Sequence, residues 1–287
     1  MWVTAEMFVT RFAPTPTGRL HRGHAYSAAL GHARARESGG KFLLRIEDLD
    51  QTRSRPDFVD GIYEDLRWLG LEWNEPVLVQ SRRAAAYEQA LERLRREGLV
   101  YACFCTRSDI AAALEAPHGA SPHYPGTCRG LADDPERRAS MPHSWRLDAE
   151  KALAISGLPT WTEADGRAFQ SRRDDFDDVI LARKEAPAAY HLACVIDDAA
   201  TGVTLVTRAE DLRSSTPVQR LLQLLLGLPE PTYLHHPLVA HSDGRRLAKR
   251  DLAPTLAAMR EAGIDGDALA RDLSRGKLPL GFTFIDA

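Results

Sequence analysis

Lysine, cysteine and long hydrophobic runs are all scarce in this chain of 287 residues. Four cysteines are too few for a disulfide scaffold, and no apolar run is long enough to span a membrane. The formal net charge of −3 gives no general attraction for nucleic acid, so any RNA contact must come from a local basic patch. The N-terminal segment lacks the charged start and apolar core of a signal peptide. We therefore expect a cytoplasmic protein without a membrane partner.

Strand-like and helix-like segments alternate along the chain. The runs MFVTRFA and KFLLRIE predict strands, and the Ala-rich stretch AYSAALGHARARES between them predicts a helix that ends at Gly39. Alternation of this kind is typical of an α/β domain with parallel strands. Three later runs, DDVILAR, AAYHLACVID and GVTLVTR, also predict strands. A helix at STPVQRLLQLLLGL and a strand at TYLHHPLVA follow them.

Composition divides the chain into four predicted parts. Residues 1–100 and 176–240 have the α/β pattern, and we expect them to form the two halves of one Rossmann-like domain. Residues 101–175 are rich in Cys, His, Pro, Gly and charge, which indicates an insertion. Residues 241–287 are expected to form a loop and a short helical appendage.

The segment PTPTGRLHRGH, residues 14–24, joins the first predicted strand to the first predicted helix. His21 and His24 are three residues apart and share one helix face, and Gly23 between them leaves room for a bulky group to approach. A helix N-terminus attracts anions, and imidazoles beside it can donate to phosphate oxygens. Taken alone, the two could equally be surface histidines on a loop.

Charged side chains are predicted at the ends of several strands. Arg11, Glu47 and Arg208 each close a strand-like run, and Tyr190 begins another. Ligands of open α/β sheets bind at the carboxyl ends of the strands, so these groups should converge. Two guanidiniums and one carboxylate suit a small ligand with two carboxylates and one ammonium group. Each charge on its own could instead be a solvated strand end.

A basic motif near the C-terminus, GRRLAKRD at residues 244–251, contains Lys249 between arginines. A flexible basic loop of this kind can close over a polyphosphate, because its cations offset the phosphate charge. The same composition is also typical of a solvated surface loop. The motif is therefore a second candidate for a phosphate-binding element.

Three of the four cysteines, Cys103, Cys105 and Cys128, lie within the predicted insertion. In an intracellular chain such a cluster indicates a metal site rather than disulfides, and a structural zinc takes four ligands. The candidates for the fourth ligand are His118, His123 and Tyr124. Spacing alone favours a histidine, and three buried thiols without a metal are the alternative.

Five segments occur in the order found in class I glutamyl-tRNA synthetases: RFAPTPTGRLHRGH, LLRIEDLD, AYHLACVIDD, VTRAEDL and RLAKRD. The chain resembles this family over almost its whole length. PTPTGRLHRGH matches the HIGH signature of the family, and RLAKR, residues 246–250, matches its KMSKS signature. The resemblance implies a Rossmann-like class I aminoacyl-tRNA synthetase catalytic domain with a zinc-binding insertion and a short C-terminal helical appendage.

The resemblance also implies a role for each matching residue of the site. The residues expected to hold glutamate are Arg11, Thr15, Glu47, Tyr190 and Arg208. The residues expected to bind ATP, which enters with Mg²⁺, are His21, Gly23, His24, Arg246 and Lys249. The residues expected to be catalytic are His21, His24 and Lys249. The residues expected to bind one structural zinc are Cys103, Cys105, Tyr124 and Cys128, with tyrosine in place of the histidine that spacing favours.

The chain departs from the family pattern at a few positions. Arg22 stands at an apolar position of HIGH, and Ala209 stands at a glycine of the segment RAED. Arg246 and Ala248 replace the first lysine and the serine of KMSKS. ATP affinity and the rate of loop closure are the properties that these changes affect.

Only a short tail follows Lys249, where full-length members of the family continue into a helical anticodon-binding domain. This plan resembles a stand-alone catalytic-domain paralogue of the family. It implies tRNA-independent, ATP-dependent activation of L-glutamate and transfer of glutamate to queuosine at the wobble position of tRNA(Asp), by a monomer. The alternatives are a truncated enzyme that charges the 3′ end of tRNA(Glu) and a non-catalytic nucleotide- or RNA-binding paralogue.

Overall fold

Parallel strands form the centre of the computed structural model, which describes residues 7–106, 108–110, 124–184, 186–245 and 254–286. The strands are β1 (Val9–Phe12), β2 (Lys41–Ile46), β3 (Asn74–Val79), β4 (Val100–Cys103), β5 (Ser144–Leu147), β6 (Thr160–Thr162), β7 (Ala168–Gln170), β8 (Ile180–Arg183), β9 (Leu205–Ala209), β10 (Thr232–His236), β11 (Leu238–His241) and β12 (Phe282–Ile285). The helices are α1 (Arg22–Glu37), α2 (Pro56–Trp68), α3 (Ala84–Arg96), α4 (Pro135–Ser140), α5 (Ala149–Ser156), α6 (Tyr190–Ala200), α7 (Thr216–Leu226), α8 (Leu256–Glu261) and α9 (Gly266–Ser274).

Two groups of parallel strands lie edge to edge. β2 pairs with β1 on one side and β3 on the other, and β9 pairs with β10, all in parallel. β1 lies beside β9, where the Thr204 N–H donates to Val9 O and the Val9 N–H donates to the Thr204 hydroxyl, both at 2.9 Å. The order β3-β2-β1-β9-β10 places the carboxyl ends of β1 and β9 side by side. The parallel α/β arrangement expected from the sequence is confirmed.

The limits of α1 and α7 follow from residues that start and stop helices. α1 is rich in alanine and ends just before Gly39, whose φ of +68° suits a residue without a side chain. Pro217 lies in the first turn of α7, where a missing N–H costs little, and Gly227 ends the helix in the left-handed region. Both helices agree with the sequence prediction.

Two predictions about single elements are wrong. The run AAYHLACVID predicts a strand, but Tyr190–Ala200 form the helix α6. The run is apolar along most of its length, so periodicity alone cannot separate a buried helix from a buried strand. In the C-terminal tail, Phe282–Ile285 form β12, which pairs antiparallel with β11 where only loop and short helices are predicted.

The predicted insertion contains an antiparallel sheet and a hairpin. The sheet has the order β4-β5-β8, and β6 pairs with β7. Cys103 is the last residue of β4, so this sheet carries the first of the clustered cysteines. β8 lies beyond residue 175 and pairs with β5, which joins the insertion to the second half of the α/β domain. The four-part division of the chain stays a prediction.

Two large clusters of buried apolar side chains hold the layers together. One includes Phe12 of β1, Leu66 of α2 and Leu273 of α9. The other joins α3, α6 and α7 to the antiparallel sheet, with Tyr87 and Leu192 near its centre. Packing on these clusters fixes the strand ends that carry the candidate site. Within the described ranges, no helix has both the length and the apolar character that a membrane span requires.

Arg22, the first residue of α1, is buried against the C-terminal segment. Its guanidinium lies 3.9 Å from the centre of the Phe282 ring, and Nη2 donates to Met259 Sδ at 3.6 Å. Nε and Nη1 have no hydrogen-bond partner in the part of the chain that the structure describes. Burial lowers the pKa of this guanidinium. The departure from HIGH at this position therefore places a poorly satisfied cation between α1 and the C-terminal helices.

We expect Arg22→Met to raise the free energy of unfolding by about 1 kcal/mol. Each unsatisfied buried donor costs about 1–3 kcal/mol, whereas a cation–π contact contributes about 0.5–2 kcal/mol. Methionine keeps the length and the apolar contacts of the side chain. Urea denaturation measures the change, and Arg34→Met, on the exposed side of the same helix, is the matched control. A larger loss of stability in Arg22→Met than in the control would contradict this expectation.

Candidate active site

A cavity of about 550 Å³ opens where the carboxyl ends of β1 and β9 meet the N-terminus of α1. Its volume is typical of a site for a small molecule. Every described residue predicted for glutamate or ATP lines this cavity: Arg11, Thr15, His21, Gly23, His24, Glu47, Tyr190 and Arg208. Arg246, Ala248 and Lys249 lie outside the described residues. Their roles stay predictions from the sequence.

His21 and His24 bond to the backbone at the start of α1. The His21 N–H donates to His24 Nδ1, and the Gly23 N–H donates to His21 Nδ1, both at 3.1 Å. The two ring centroids are 3.9 Å apart. Because each Nδ1 accepts a backbone hydrogen, each neutral ring carries its proton on Nε2. The pair therefore brings two N–H donors to a helix N-terminus, an arrangement that suits an anion.

Gly23 leaves room for the His21 ring. A Cβ built at this position would lie 3.0 Å from His21 Cε1 and 3.2 Å from His21 Nδ1. The ring could then keep its bond to the backbone only by shifting. The space that the sequence predicts at Gly23 is thus used by the chain's own imidazole.

Asp198 of α6 lies between two buried guanidiniums beneath the cavity. It accepts a hydrogen bond from Arg11 Nε at 3.1 Å and one from Arg45 Nη1 at 2.5 Å. Arg11 also donates to Thr207 O at 3.1 Å, which ties β1 to β9. Burial opposes ionisation of Asp198, yet the Arg11 and Arg45 guanidiniums hold its pKa at about 2. One carboxylate therefore pairs with two cations that are almost completely buried.

Arg45 and Asp198 were not predicted as site residues, although the sequence contains a signal for each. Arg45 is two residues before Glu47, and alternate residues of a strand share a face. Tyr190, Cys194 and Asp198 are spaced four residues apart, which places them on one face of a helix. In the strand predicted for this run the three residues would also share a face, but Asp198 would lie about 26 Å from Tyr190. The helix α6 is what brings Asp198 under the cavity.

Glu47 follows β2 and lies next to Arg45. Arg45 donates to Glu47 Oε1 through Nε at 3.2 Å and through Nη2 at 2.9 Å. The Glu47 N–H donates to Pro14 O at 3.1 Å, which holds this strand end against the loop before α1. Burial raises the pKa of Glu47 despite the pairing. A cation in the cavity would offset that cost, so the position suits an ammonium group.

Tyr190 and Cys194 complete the α6 face beside the cavity. Burial raises the pKa of Tyr190 to about 12, so its hydroxyl stays protonated and can donate to a ligand. Cys194 lies one turn further along, with Sγ 3.5 Å from Arg45 Nη2. Burial raises the pKa of this thiol to about 11, so it stays neutral. Tyr190 is thus the polar group that α6 contributes to the cavity.

Arg208, near the end of β9, is buried among uncharged acceptors. Its guanidinium donates to Gln219 Oε1 at 2.6 Å and to Thr216 Oγ1 at 2.7 Å. Its Nε donates to His235 Nε2 at 3.1 Å. Within the described part of the chain, no carboxylate forms an ion pair with it. Its positive charge is therefore left to interact with a ligand in the cavity.

The cysteine cluster is a separate site on the antiparallel sheet. The sulfur atoms of Cys103, Cys105 and Cys128 all lie within 4.8 Å of one another. The Tyr124 hydroxyl lies 3.3 Å from Cys103 Sγ and 3.4 Å from Cys105 Sγ. The three cysteines could hold a metal ion. The other two candidate ligands, His118 and His123, lie outside the described residues.

The family description "tRNA synthetases class I (E and Q), catalytic domain" matches residues 7–279. The chain belongs to this family. It is therefore an enzyme of the ligase type, and the class I fold that the five motifs imply is confirmed.

A glutamyl-Q tRNA(Asp) synthetase of Rhodobacter capsulatus is 46% identical over 265 residues, which cover 89% of this chain and 95% of that protein. A glutamyl-Q tRNA(Asp) synthetase of Nocardia farcinica is 49% identical over 256 residues, with coverage of 88% and 79%.

A solved structure agrees with the sequence comparison. The crystal structure of a glutamate–tRNA synthetase from Elizabethkingia anophelis is 26% identical to this chain, with a TM-score of 0.80. The match covers 94% of this chain and 61% of that synthetase. The shared architecture is thus the catalytic fold, and the chain spans about three fifths of the length of the solved neighbour.

Two departures from the family pattern have structural explanations. Ala209 has a φ of −72°, which every L-residue adopts, so a glycine is not required there. Arg22 is absent from the lining of the cavity, and its side chain packs on Met259 and Phe282 instead. Arg22 therefore does not face the site, whereas Ala209 lines the cavity and adds one methyl group to its wall.

Asp198→Asn is expected to lower the free energy of unfolding by about 3–5 kcal/mol near pH 7, because it leaves the buried Arg11 guanidinium without its counter-charge and leaves Arg45 paired with Glu47 alone. The pKa of Asp198 in the folded enzyme, about 2, is below the ordinary aspartate value of 3.8. The carboxylate therefore stabilises the fold above pH 3.8, and this contribution is lost as the pH falls towards 2.

Urea denaturation between pH 7 and pH 3 measures both effects, and Asp165→Asn, at an exposed hairpin, is the control. We expect the unaltered enzyme to lose more stability on acidification than Asp198→Asn does. Equal stability of the two Asn variants would mean that Asp198 does not balance the guanidiniums.

Proposed function

We propose that this enzyme activates L-glutamate with ATP, without tRNA, and transfers the glutamyl group to queuosine at the wobble position of tRNA(Asp). The observation that carries the proposal is a single cavity with two chemically different sides. One side has the guanidiniums and the carboxylate that suit an amino acid with two carboxylates. The other has two imidazoles at a helix N-terminus, which suit a phosphate chain.

The charge balance on the amino-acid side supports glutamate. Arg11, Arg45 and Arg208 contribute three positive charges, and Asp198 and Glu47 contribute two negative ones. The remaining positive charge is complementary to an amino acid with two carboxylates and one ammonium group. In this proposal Arg208 pairs with a substrate carboxylate, and Glu47 pairs with the substrate ammonium group. Glutamine lacks one carboxylate and would leave that positive charge unbalanced.

The imidazole side supports a role in binding ATP. His21 and His24 would donate from Nε2 to phosphate oxygens, and the N-terminus of α1 adds its dipole. Lys249 and Arg246 are assigned from the sequence motif. In this proposal they would contact the phosphates from the side opposite the imidazoles. Mg²⁺ would enter with ATP as part of the substrate.

The chemistry needs positioning and charge stabilisation from these residues. The glutamate α-carboxylate attacks the α-phosphate of ATP, a new C–O–P bond forms, and pyrophosphate leaves with the electron pair of the broken P–O bond. A hydroxyl of the acceptor then attacks the carbonyl carbon of the adenylate, and AMP leaves. Tyr190 can donate a hydrogen bond to glutamate in both steps, since its pKa keeps it protonated.

The choice of acceptor rests on similarity to proteins named glutamyl-Q tRNA(Asp) synthetase. Queuosine has a cyclopentene diol, which is chemically similar to the ribose diol that synthetases esterify. A base in an anticodon loop can leave its stack and enter a pocket, where its own hydrogen bonds provide specificity. The same cavity could also accept the 3′-terminal ribose of tRNA(Glu), so the experiment must separate the two positions.

The test is to map labelled glutamate on tRNA. We expect the label in the anticodon-loop fragment after nuclease digestion of tRNA(Asp), and we expect no label on tRNA(Asp) that lacks queuosine. Arg208→Gln should remove most of the label, because an unpaired substrate carboxylate costs about 2–5 kcal/mol. Label on the 3′-terminal adenosine would contradict the proposed acceptor and favour charging of tRNA(Glu). Absence of label on every tRNA would favour a non-catalytic paralogue.

We propose further that the cysteine cluster binds one structural zinc, with Tyr124 as the fourth ligand. Zinc at about 2.3 Å from each sulfur of a tetrahedral site would set the sulfurs about 3.8 Å apart. Cys105 Sγ and Cys128 Sγ are 3.5 Å apart, and the Tyr124 hydroxyl lies at similar distances from two thiols. The Arg146 guanidinium lies 3.8 Å from the centre of the Tyr124 ring and would favour a phenolate. These distances support a preformed site with four protein ligands, which would leave the metal no open position for catalysis.

The purified enzyme should contain one zinc ion per chain. Tyr124→Phe should weaken zinc binding by about tenfold or more, because it leaves three ligands. Elemental analysis and competition with a chromophoric chelator measure the two effects. Tyr101→Phe, whose hydroxyl donates to Asp178 instead of a thiol, is the matched control. Absence of zinc in the unaltered protein would contradict the site, and equal affinities of the two variants would exclude Tyr124 as a ligand.

A further inference from the structure

The hydrogen bonds of Arg208 continue through a buried imidazole to a carboxylate. Arg208 Nε donates to His235 Nε2 at 3.1 Å, and His235 Nδ1 lies 2.7 Å from Glu163 Oε1. A guanidinium has no acceptor, so His235 Nε2 must be the acceptor in the first contact. His235 Nδ1 then carries the proton and donates to Glu163. The two contacts together determine the tautomer of the ring.

Burial and neighbouring charges keep this imidazole neutral. The His235 side chain has no exposed surface. Burial lowers the pKa of His235, Glu163 raises it, and Arg208 and Arg213 lower it further, with a net decrease from its ordinary value. A neutral ring with the opposite tautomer would point its Nε2–H at the Arg208 Nε–H. The contact with Glu163 prevents that arrangement.

Glu163 is held in place from several directions. Its Oε1 accepts from Trp161 Nε1 at 3.2 Å and lies 3.4 Å from Arg213 Nη1, and its Oε2 accepts from the His235 N–H at 3.3 Å. Burial opposes ionisation, but the hydrogen bonds from His235 hold the pKa of Glu163 below its ordinary value. Glu163 comes directly after β6 of the hairpin, so the insertion supplies the anchor of a side chain in the cavity.

We propose that Glu163 and His235 are positioning residues for Arg208. They keep an acceptor at the Arg208 Nε, while Gln219 and Thr216 accept from the other nitrogen atoms. The guanidinium is thereby fixed on three sides without a direct counter-charge. This inference rests on the proposed function, in which Arg208 pairs with a substrate carboxylate. Neither Glu163 nor His235 is among the residues that line the cavity.

Two conservative variants of His235 separate positioning from a structural role. In His235→Gln the amide oxygen can occupy the position of Nε2 and accept from Arg208. In His235→Asn the shorter amide occupies the position of Nδ1, so it can contact Glu163 but not Arg208. A positioning role predicts that Gln is tolerated and Asn is not. A role limited to anchoring the hairpin predicts the reverse.

The measurement is glutamate-dependent ATP–pyrophosphate exchange, with separate KM values for glutamate and ATP. We expect His235→Asn to raise the KM for glutamate about 10- to 100-fold, the effect of losing a hydrogen bond to a charged group, with the KM for ATP unchanged. His235→Gln should stay within about threefold of the unaltered enzyme. Glu163→Ala should also raise the KM for glutamate. In the His235→Gln background the same Glu163→Ala change should raise this KM by a smaller factor, because glutamine has no tautomer for Glu163 to select.

The outcomes distinguish this inference from the proposed function. Equal glutamate KM values for the Gln and Asn variants would overturn the positioning role while leaving glutamate activation intact. A parallel rise in the KM values for glutamate and ATP would also overturn it, because general damage affects both substrates. Failure of the unaltered enzyme to exchange pyrophosphate with any amino acid would contradict the proposed function, and the positioning role with it. Glu230→Gln is the control, because it removes a carboxylate that accepts from Arg220 and does not belong to the contacts of Arg208 and His235.

Discussion

The contact between the Asp198 carboxylate and the guanidiniums of Arg11 and Arg45 ties strands β1 and β2 to helix α6 beneath the cavity. Arg11 belongs to β1, Arg45 to β2 and Asp198 to α6, so one carboxylate connects three elements. Without it, Arg11 and Arg45 would lie close together with only the Glu47 carboxylate, which pairs with Arg45, to offset two buried positive charges, and this is costly at low dielectric. The same contact holds α6 at the orientation that places Tyr190 in the cavity. The geometry of the amino-acid side therefore depends on this buried ion cluster.

The buried arginines of the site differ in the partners that surround their guanidiniums. Arg11 and Arg45 both pair with Asp198, and Arg45 pairs with Glu47 as well, so both guanidiniums have carboxylate partners within the protein. Arg208 is surrounded by an imidazole, an amide and a hydroxyl, so its orientation is fixed while its charge is not neutralised. A preorganised charge of this kind binds an anion without reorganisation. The difference between the two environments explains how a chain with a net negative charge can present a positive pocket.

Much of the site could be predicted because strand ends and a helix N-terminus converge in any parallel α/β sheet. Arg11, Glu47 and Arg208 were identifiable at strand ends, and His21 and His24 at the start of a helix, without knowledge of the fold. Asp198 was not, because the ten-residue run AAYHLACVID that precedes it is compatible with a strand or a helix, and only the helix brings Asp198 close to Tyr190. Glu163 and His235 could not be paired from sequence. They are 72 residues apart, and only the packing of a hairpin against β10 brings them together.

In the proposed function, this pocket selects an amino acid with two carboxylates and activates it before tRNA binds. ATP–pyrophosphate exchange in the absence of tRNA, with glutamate and glutamine compared side by side, tests it most directly. We expect exchange with glutamate and a kcat/KM for glutamine at least about 10²-fold lower, since glutamine leaves a buried guanidinium without its counter-charge. Equal exchange with the two amino acids, or exchange that starts only when tRNA is added, would contradict it.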